Sequence, residues 1–171
     1  MAQTIVVVTF YSRGGITERL ATAAAVGAVQ MRGGIRMRRL PDADPGATVE
    51  RFPQHREELR RMRKEYVVPR EADVLAADVL IVASPPDLSP SSPEWSAYFE
   101  LLGRLQSEEK LRRKVAAAVD NGPAAQAFSS ALQRLGLTAA APPSATGEGD
   151  AVARALALGR AAVAAAQALR T

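Results

Sequence analysis

The chain has 171 residues, no cysteine and one histidine, His55. Without thiols there is no disulfide framework, no thiolate zinc site and no Cys nucleophile, and a single imidazole excludes a multi-His metal cluster or an HExxH helix. Long apolar runs are also missing. The stretch from Thr4 to Phe10 is too short to span a bilayer and lacks the basic flank and small-residue cleavage site of a signal peptide. The alanine-rich run from Ala151 to Leu169 carries Arg154 and Arg160 and reads as a packed helix. A soluble, cytoplasmic protein with no membrane partner is the expectation. Any chemistry must come from hydroxyls, carboxylates, backbone amides or a borrowed cofactor.

What is present is ordinary for a globular domain: 47% of the residues are hydrophobic and 23% charged, enough to bury a core as one domain over residues 1–171. Lys+Arg is 22 against 18 for Asp+Glu, a net charge of +4. That excess is mild and suits an anionic small ligand as well as nucleic acid.

Ile5 to Phe10 is a continuous apolar run without alternation, the mark of a strand covered on both faces in a parallel sheet. A Gly-rich turn follows at Ser12 to Gly15. Ile16, Leu20, Ala23, Ala24, Gly27 and Met31 then recur at helical spacing up to Gly33-Gly34. Ile35, Met37 and Leu40 carry a second strand, with Arg36 and Arg38 alternating outward as on an exposed edge. Turn residues crowd Pro41 to Pro53, which reads as a loop. Gln54 to Tyr66 reads as a charged helix with a thin stripe of His55, Leu59, Met62 and Tyr66.

Asp73 to Ala77 is a helical turn, Val79 to Ala83 a second buried strand, and Trp95, Phe99, Leu102 and Leu105 mark a helix. Val115 to Val119 is a strand, Phe128, Leu132 and Leu135 mark another helix, and a short strand is expected around residues 137–141. A Pro/Ser/Gly loop over residues 142–149 leads into the last helix. Strands alternating with helices predict an α/β fold: a doubly wound five-stranded parallel sheet in the order 2-1-3-4-5. Ligands in such sheets bind beyond the carboxyl ends of the strands. Three loops lie there: Ser12 to Thr17, Ser84 to Pro93, and Asp120 to Ala125.

The first of these loops reads Tyr11-Ser12-Arg13-Gly14-Gly15-Ile16-Thr17-Glu18. A phosphate there would meet free amides at the positive end of a helix, with the Ser12 and Thr17 hydroxyls as further donors. A plain tight turn with Ser12 as cap explains the same residues. The loop lacks both the GKS/GKT ending of a nucleoside-triphosphate loop and GxGxxG spacing, which argues against NTP hydrolysis and a dinucleotide site.

Ser-x-x-Gly-x-Thr at residues 12–17 resembles the phosphate loop of flavodoxin-like proteins. The continuation Glu18-Arg19-Leu20-Ala21, the strand from Ala76 to Pro85 and the closing helix over Leu156 to Leu169 look like the NAD(P)H:quinone oxidoreductases of the tryptophan-repressor-binding-protein type. The resemblance spans nearly the whole chain. It implies that Ser12, Arg13, Gly14, Gly15, Ile16 and Thr17 hold the phosphate of FMN. By the same resemblance Pro86, Asp87 and Leu88 border the ribityl chain and flavin edge, and Asp120, Asn121, Gly122 and Pro123 lie along the ring. It further implies a homo-oligomer, with the Gln54 to Tyr66 helix as a contact element. The chain departs from the family in its second loop, where Pro86-Asp87-Leu88-Ser89-Pro90 replaces basic and aromatic contacts, and in its third, where Pro123 follows Gly122.

Trp95, Tyr98 and Phe99 have the i, i+3, i+4 spacing of a core-facing helix, with Trp95 the one best placed to stack on a ligand. The basic residues between Arg51 and Lys64 are interleaved with Glu57 and Glu58 and read as a solvated or oligomer-facing helix rather than a nucleic-acid surface. His55 reads as a surface residue. The function expected is an FMN-dependent oxidoreductase moving a hydride from NAD(P)H to a quinone or similar small acceptor, with no catalytic side chain of its own. The rival is a flavin-free binding or interaction module of the same fold.

Overall fold

The computed structural model describes residues 2–140 and 150–171. Five strands, β1 (Ile5–Phe10), β2 (Gly34–Arg39), β3 (Val79–Ala83), β4 (Val115–Ala118) and β5 (Thr138–Ala139), form one sheet in the order β2-β1-β3-β4-β5. Every pair is parallel, with Val8 opposite Met37 on one side and Ile81 on the other. The expected topology is therefore the observed one.

The described residues also form seven α-helices: α1 (Ile16–Gln30), α2 (Pro45–Arg51), α3 (Arg56–Glu65), α4 (Glu71–Ala76), α5 (Pro93–Ser107), α6 (Ala124–Arg134) and α7 (Ala151–Ala168). The pleat of β1 and β3 divides their side chains. Val6, Val8, Phe10, Val79 and Ile81 join Leu20 and Ala24 of α1 and Leu158 and Val163 of α7 in one buried cluster. On the other face Val7, Leu80 and Val82 meet Trp95, Leu102 and Leu105 of α5 and Phe128 and Leu132 of α6. A strand covered on both faces has no use for polar alternation, which is why these runs are continuously apolar.

Three sequence expectations need correction. The segment from Pro41 to Pro53 is not all loop, because α2 lies within it. The Asp44 carboxylate accepts the Ala47 amide at 3.1 Å and Pro45 takes the first turn, so turn-forming residues here start a helix. The helix expected from Gln54 begins as a 3-10 turn over Pro53–His55. Its apolar stripe is not free for a partner: Leu59 and Met62 are fully buried and Tyr66 sits edge-on to Phe10 at 4.9 Å. Arg36 and Arg38 lie on the edge strand as expected, and both are tied to Asp73, at 3.4 and 2.9 Å. The strand expected over residues 137–141 is seen as β5 alone; its last residue and the loop over residues 142–149 lie outside the described residues.

Candidate functional site

Parallel β1, β3 and β4 all end at the same edge of the sheet, so their following loops are gathered there. In the first, β1 stops at Phe10 and α1 starts at Ile16, with Gly15 as N-cap at φ 94°. Only glycine takes that angle without strain. The Gly15 amide donates to Ser12 Oγ at 3.2 Å. The amides of Gly14, Ile16, Thr17 and Glu18 have no partner among the described residues. They form the open donor set that a helix N-terminus offers to an anion. Ser12 and Thr17 are buried, whereas Ile16 is 72% exposed. Ser12 thus shapes the loop from within but does not cap the helix as the alternative reading expects: its hydroxyl takes the amide of Gly15, the N-cap, and none from the first turn of α1.

Behind this loop lies a buried ionic cluster that the sequence reading missed. Arg39, 3% exposed at the end of β2, donates to the Ser12 carbonyl at 2.8 Å and pairs with Asp42 at 3.3 Å. The Tyr11 hydroxyl donates to Asp42 Oδ1 at 2.8 Å, and Arg63 Nε donates to Oδ2 at 2.9 Å. Burial and the hydrogen bond to Asp42 push the Tyr11 phenol up to about 12. Burial works against the Asp42 charge, yet the Tyr11 hydroxyl, Arg39 and Arg63 outweigh it and hold the carboxyl below its ordinary value. The sequence signal is an arginine closing a strand, Arg39, with Asp42 three residues on. Asp42 reads in the sequence only as part of a loop, and nothing in the pattern singles out Arg39.

Arg13 extends from the loop with its guanidinium between two rings, 4.5 Å from the centroid of Phe52 and 5.5 Å from that of Tyr11. Its Nη1 meets Asp87 of the second loop at 3.0 and 3.1 Å. His55, expected on the surface, is half-buried and packs over Gly14; a Cβ there would stand 2.6 Å from the imidazole Cε1. The 3-10 turn before α3 turns the ring inward, and Phe52 stacks on it at 6.2 Å. On the far flank Glu18 and Glu58 approach Gly15 and are both bound to Arg61, at 2.6 and 2.7 Å. A cavity of about 620 Å³ runs there from Gly14, Gly15 and Ile16 to Arg61 and Val152.

The second and third loops touch each other. A Cβ on Gly122, itself at φ 97°, would lie 3.3 Å from Pro86 Cβ, and Asn121 Nδ2 donates to the Ser84 carbonyl at 2.9 Å. Pro85, Pro86 and Pro90 have no N–H. The amides of Leu88 and Ser89 bond within the second loop, and Gly122 N–H donates to Asp120 Oδ1. Pro86 and Asp87 are exposed and Leu88 is half-buried; in the third loop Asp120, Gly122 and Pro123 are exposed. Trp95 is fully buried, its indole N–H donating to Ser84 Oγ at 2.9 Å, and Tyr98 is 3% exposed, so both belong to the core as their spacing indicates. The fold therefore brings all thirteen expected site residues to one edge.

Among the described residues no helix is long and apolar enough to cross a membrane, and no group of His, Cys, Asp and Glu could hold a metal ion. No family model matches the chain. A sequence relative from Archaeoglobus fulgidus, an NAD(P)H dehydrogenase (quinone), is 30% identical over 115 residues, which is 66% of this chain and 58% of the relative. The matched stretch thus spans less than two thirds of that protein. Among solved structures, a short-chain flavodoxin associated with a bacterial microcompartment covers 96% of this chain at 14% identity, with a TM-score of 0.64; the chain covers 99% of it. A WrbA-like flavodoxin from Agrobacterium tumefaciens covers 97% at 17% identity with a TM-score of 0.61, and 99% of it is matched. At such identities the structural likeness speaks for the fold.

Proposed function

From its flavodoxin-like fold we propose that the chain is an FMN-dependent oxidoreductase whose cofactor is held chiefly by its phosphate. The observation that carries this reading is the first loop: four unpartnered amides at Gly14, Ile16, Thr17 and Glu18 around a glycine N-cap, with Arg13 beside them. That donor set fits a phosphate dianion, which strengthens each hydrogen bond through its charge. The ring end fits less well. Its prolines and internally bonded amides leave few donors for flavin oxygens, and the second and third loops are in contact.

FMN, when bound, supplies the hydride chemistry. The chain's own residues then have to anchor and orient. The amides of the first loop fix the phosphate, the buried Arg39 and Asp42 pair keeps the Ser12 carbonyl and hence the loop in place, and residues 86–88 and 120–123 border the ring. The name of the sequence relative supports NAD(P)H as reductant and a quinone-like acceptor. Self-association, in this reading, uses a surface other than the α3 stripe.

A flavin-free binding module is the second reading, favoured by the ion pair between Arg13 and Asp87 and by the contact of Gly122 with Pro86. The visible spectrum of the purified protein, followed by calorimetric titration with FMN, separates the two. A flavin band, or saturable FMN binding, supports the oxidoreductase. Neither signal leaves only the flavin-free module.

A further inference from the structure

Arg13 and Asp87 stand 74 residues apart in the chain, yet they join the first and second loops through one guanidinium nitrogen. The partners are unequal. The Arg13 side chain is 12% exposed and clamped between Phe52 and Tyr11, while Asp87 is 47% exposed at the crest of a turn closed by the Leu88 amide on the Pro85 carbonyl. Arg13 is a fixed cation; Asp87 is a solvent-facing anion that occupies it. Arginine has donors on three nitrogens, and Asp87 engages only Nη1. The open amides of Gly14, Ile16 and Thr17 follow Arg13 in the same loop.

On the reading that this loop takes a phosphate, we propose that the Arg13 and Asp87 pair is exchangeable and makes the site selective for phosphorylated ligands. A phosphate dianion on the first loop competes with Asp87 for the guanidinium, because a dianion with several acceptor oxygens makes stronger charge-assisted bonds than one partly solvated carboxylate. Arg13 keeps its place between the rings and changes its anion. Asp87 then loses the tie that holds the second loop to the first, so occupation of the phosphate site and release of the second loop are linked in both directions. A ligand without phosphate, such as riboflavin, has no means to displace Asp87. It meets the closed arrangement.

Calorimetric titration of FMN, riboflavin and inorganic phosphate into wild type, Asp87→Asn, Arg13→Met and the double variant tests the exchange. Asp87 is too exposed for its amide to endanger the fold. Removing the competing carboxylate is expected to tighten FMN and inorganic phosphate by about fivefold, the scale of one partly exposed ion pair, and to open the site to riboflavin as well, since the closed arrangement that riboflavin meets in wild type is gone. In the Arg13→Met background the same substitution should give no gain, since the double-mutant cycle isolates the pair. Equal FMN affinity in wild type and Asp87→Asn overturns the exchange while leaving FMN binding intact. A gain that persists without Arg13 overturns it too, as a general charge effect. Failure of every variant to bind FMN or phosphate removes the phosphate-site reading and the exchange with it.

Discussion

Gly27 of α1 and Gly159 of α7 set the contact between their helices reciprocally. A Cβ on Gly27 would lie 2.0 Å from the Leu156 carbonyl oxygen, and one on Gly159 would lie 1.9 Å from that of Ala24. The two backbones meet directly, with Ala24, Ala28 and Ala162 fully buried around the crossing. This close approach fixes α1, and α1 carries the first loop at its N-terminus.

Gly159→Ala should therefore destabilise the protein by about 2 kcal/mol or more, since the obstacle is backbone and cannot rotate away. Gly103 in α5 has nothing within 4 Å of an added Cβ. There the same substitution should stabilise by about 0.5–1 kcal/mol, the usual helix-interior gain. Denaturant midpoints of the two variants check the contrast; a matching sign would contradict the packing.

The first loop makes a second pair of demands. Gly15 has φ 94° and Gly14 lies under His55. Gly15→Ala forces an L residue into the left-handed region at a cost of about 1–2 kcal/mol and should turn the amides out of register. Gly14→Ala should displace the imidazole of His55. Both variants are expected to bind FMN at least about tenfold more weakly, from two or so lost hydrogen bonds of about 1 kcal/mol each. Wild-type affinity in either would show that this loop does not hold the ligand.

The strand order and the convergence of the three loops were legible because they rest on long-range patterns: two uninterrupted apolar runs, helical stripes between them, and glycine at the first turn. What stayed hidden depended on tertiary partners. Nothing local distinguishes Arg39, fully desolvated against Asp42, from Arg38, which meets Asp73 at the rim. Pro45 and Asp44 are turn and helix-start residues alike, and only the hydrogen bond to Ala47 decides between them. His55 is brought onto Gly14 by a 3-10 turn that no periodicity announces.

Asp42 predicts an acid response. Its folded pKa lies below the ordinary value, so the stability it contributes is complete above the unfolded pKa, near 4, and is lost as pH falls through the lower folded value. Denaturant unfolding should weaken steadily below about pH 4. Asp42→Asn should remove part of that slope and cost about 3–5 kcal/mol at neutral pH, because Arg39 is left buried without its carboxylate. Tyr11 acts in the opposite direction. Its phenol is raised to about 12, so its contribution is complete below the unfolded pKa, near 10, and is lost as pH rises through 12. Parallel acid limbs in wild type and Asp42→Asn would refute the assignment.

The last prediction concerns Ser84, which joins the core to the two outer loops. Its Oγ accepts the Trp95 indole N–H at 2.9 Å, and its carbonyl accepts the Asn121 amide at the same distance. Ser84→Ala removes the first bond, together with the Oγ donation to the Pro85 carbonyl at 3.2 Å, and leaves an indole N–H with no acceptor at a fully buried position. Such an orphaned donor costs about 1–3 kcal/mol. Ser84→Thr keeps the hydroxyl and should lose less. Trp95 is the only tryptophan, so emission reads this site without interference. Ser84→Ala should lower the denaturation midpoint and shift native emission to shorter wavelength, as the indole loses its polar partner. The consequence for ligand binding should be smaller than for stability, because the Asn121 side chain, donating to the Ser84 carbonyl, still ties the third loop to the second. If the alanine variant kept the wild-type midpoint while binding was lost, Ser84 would belong to the ligand site rather than to its foundation.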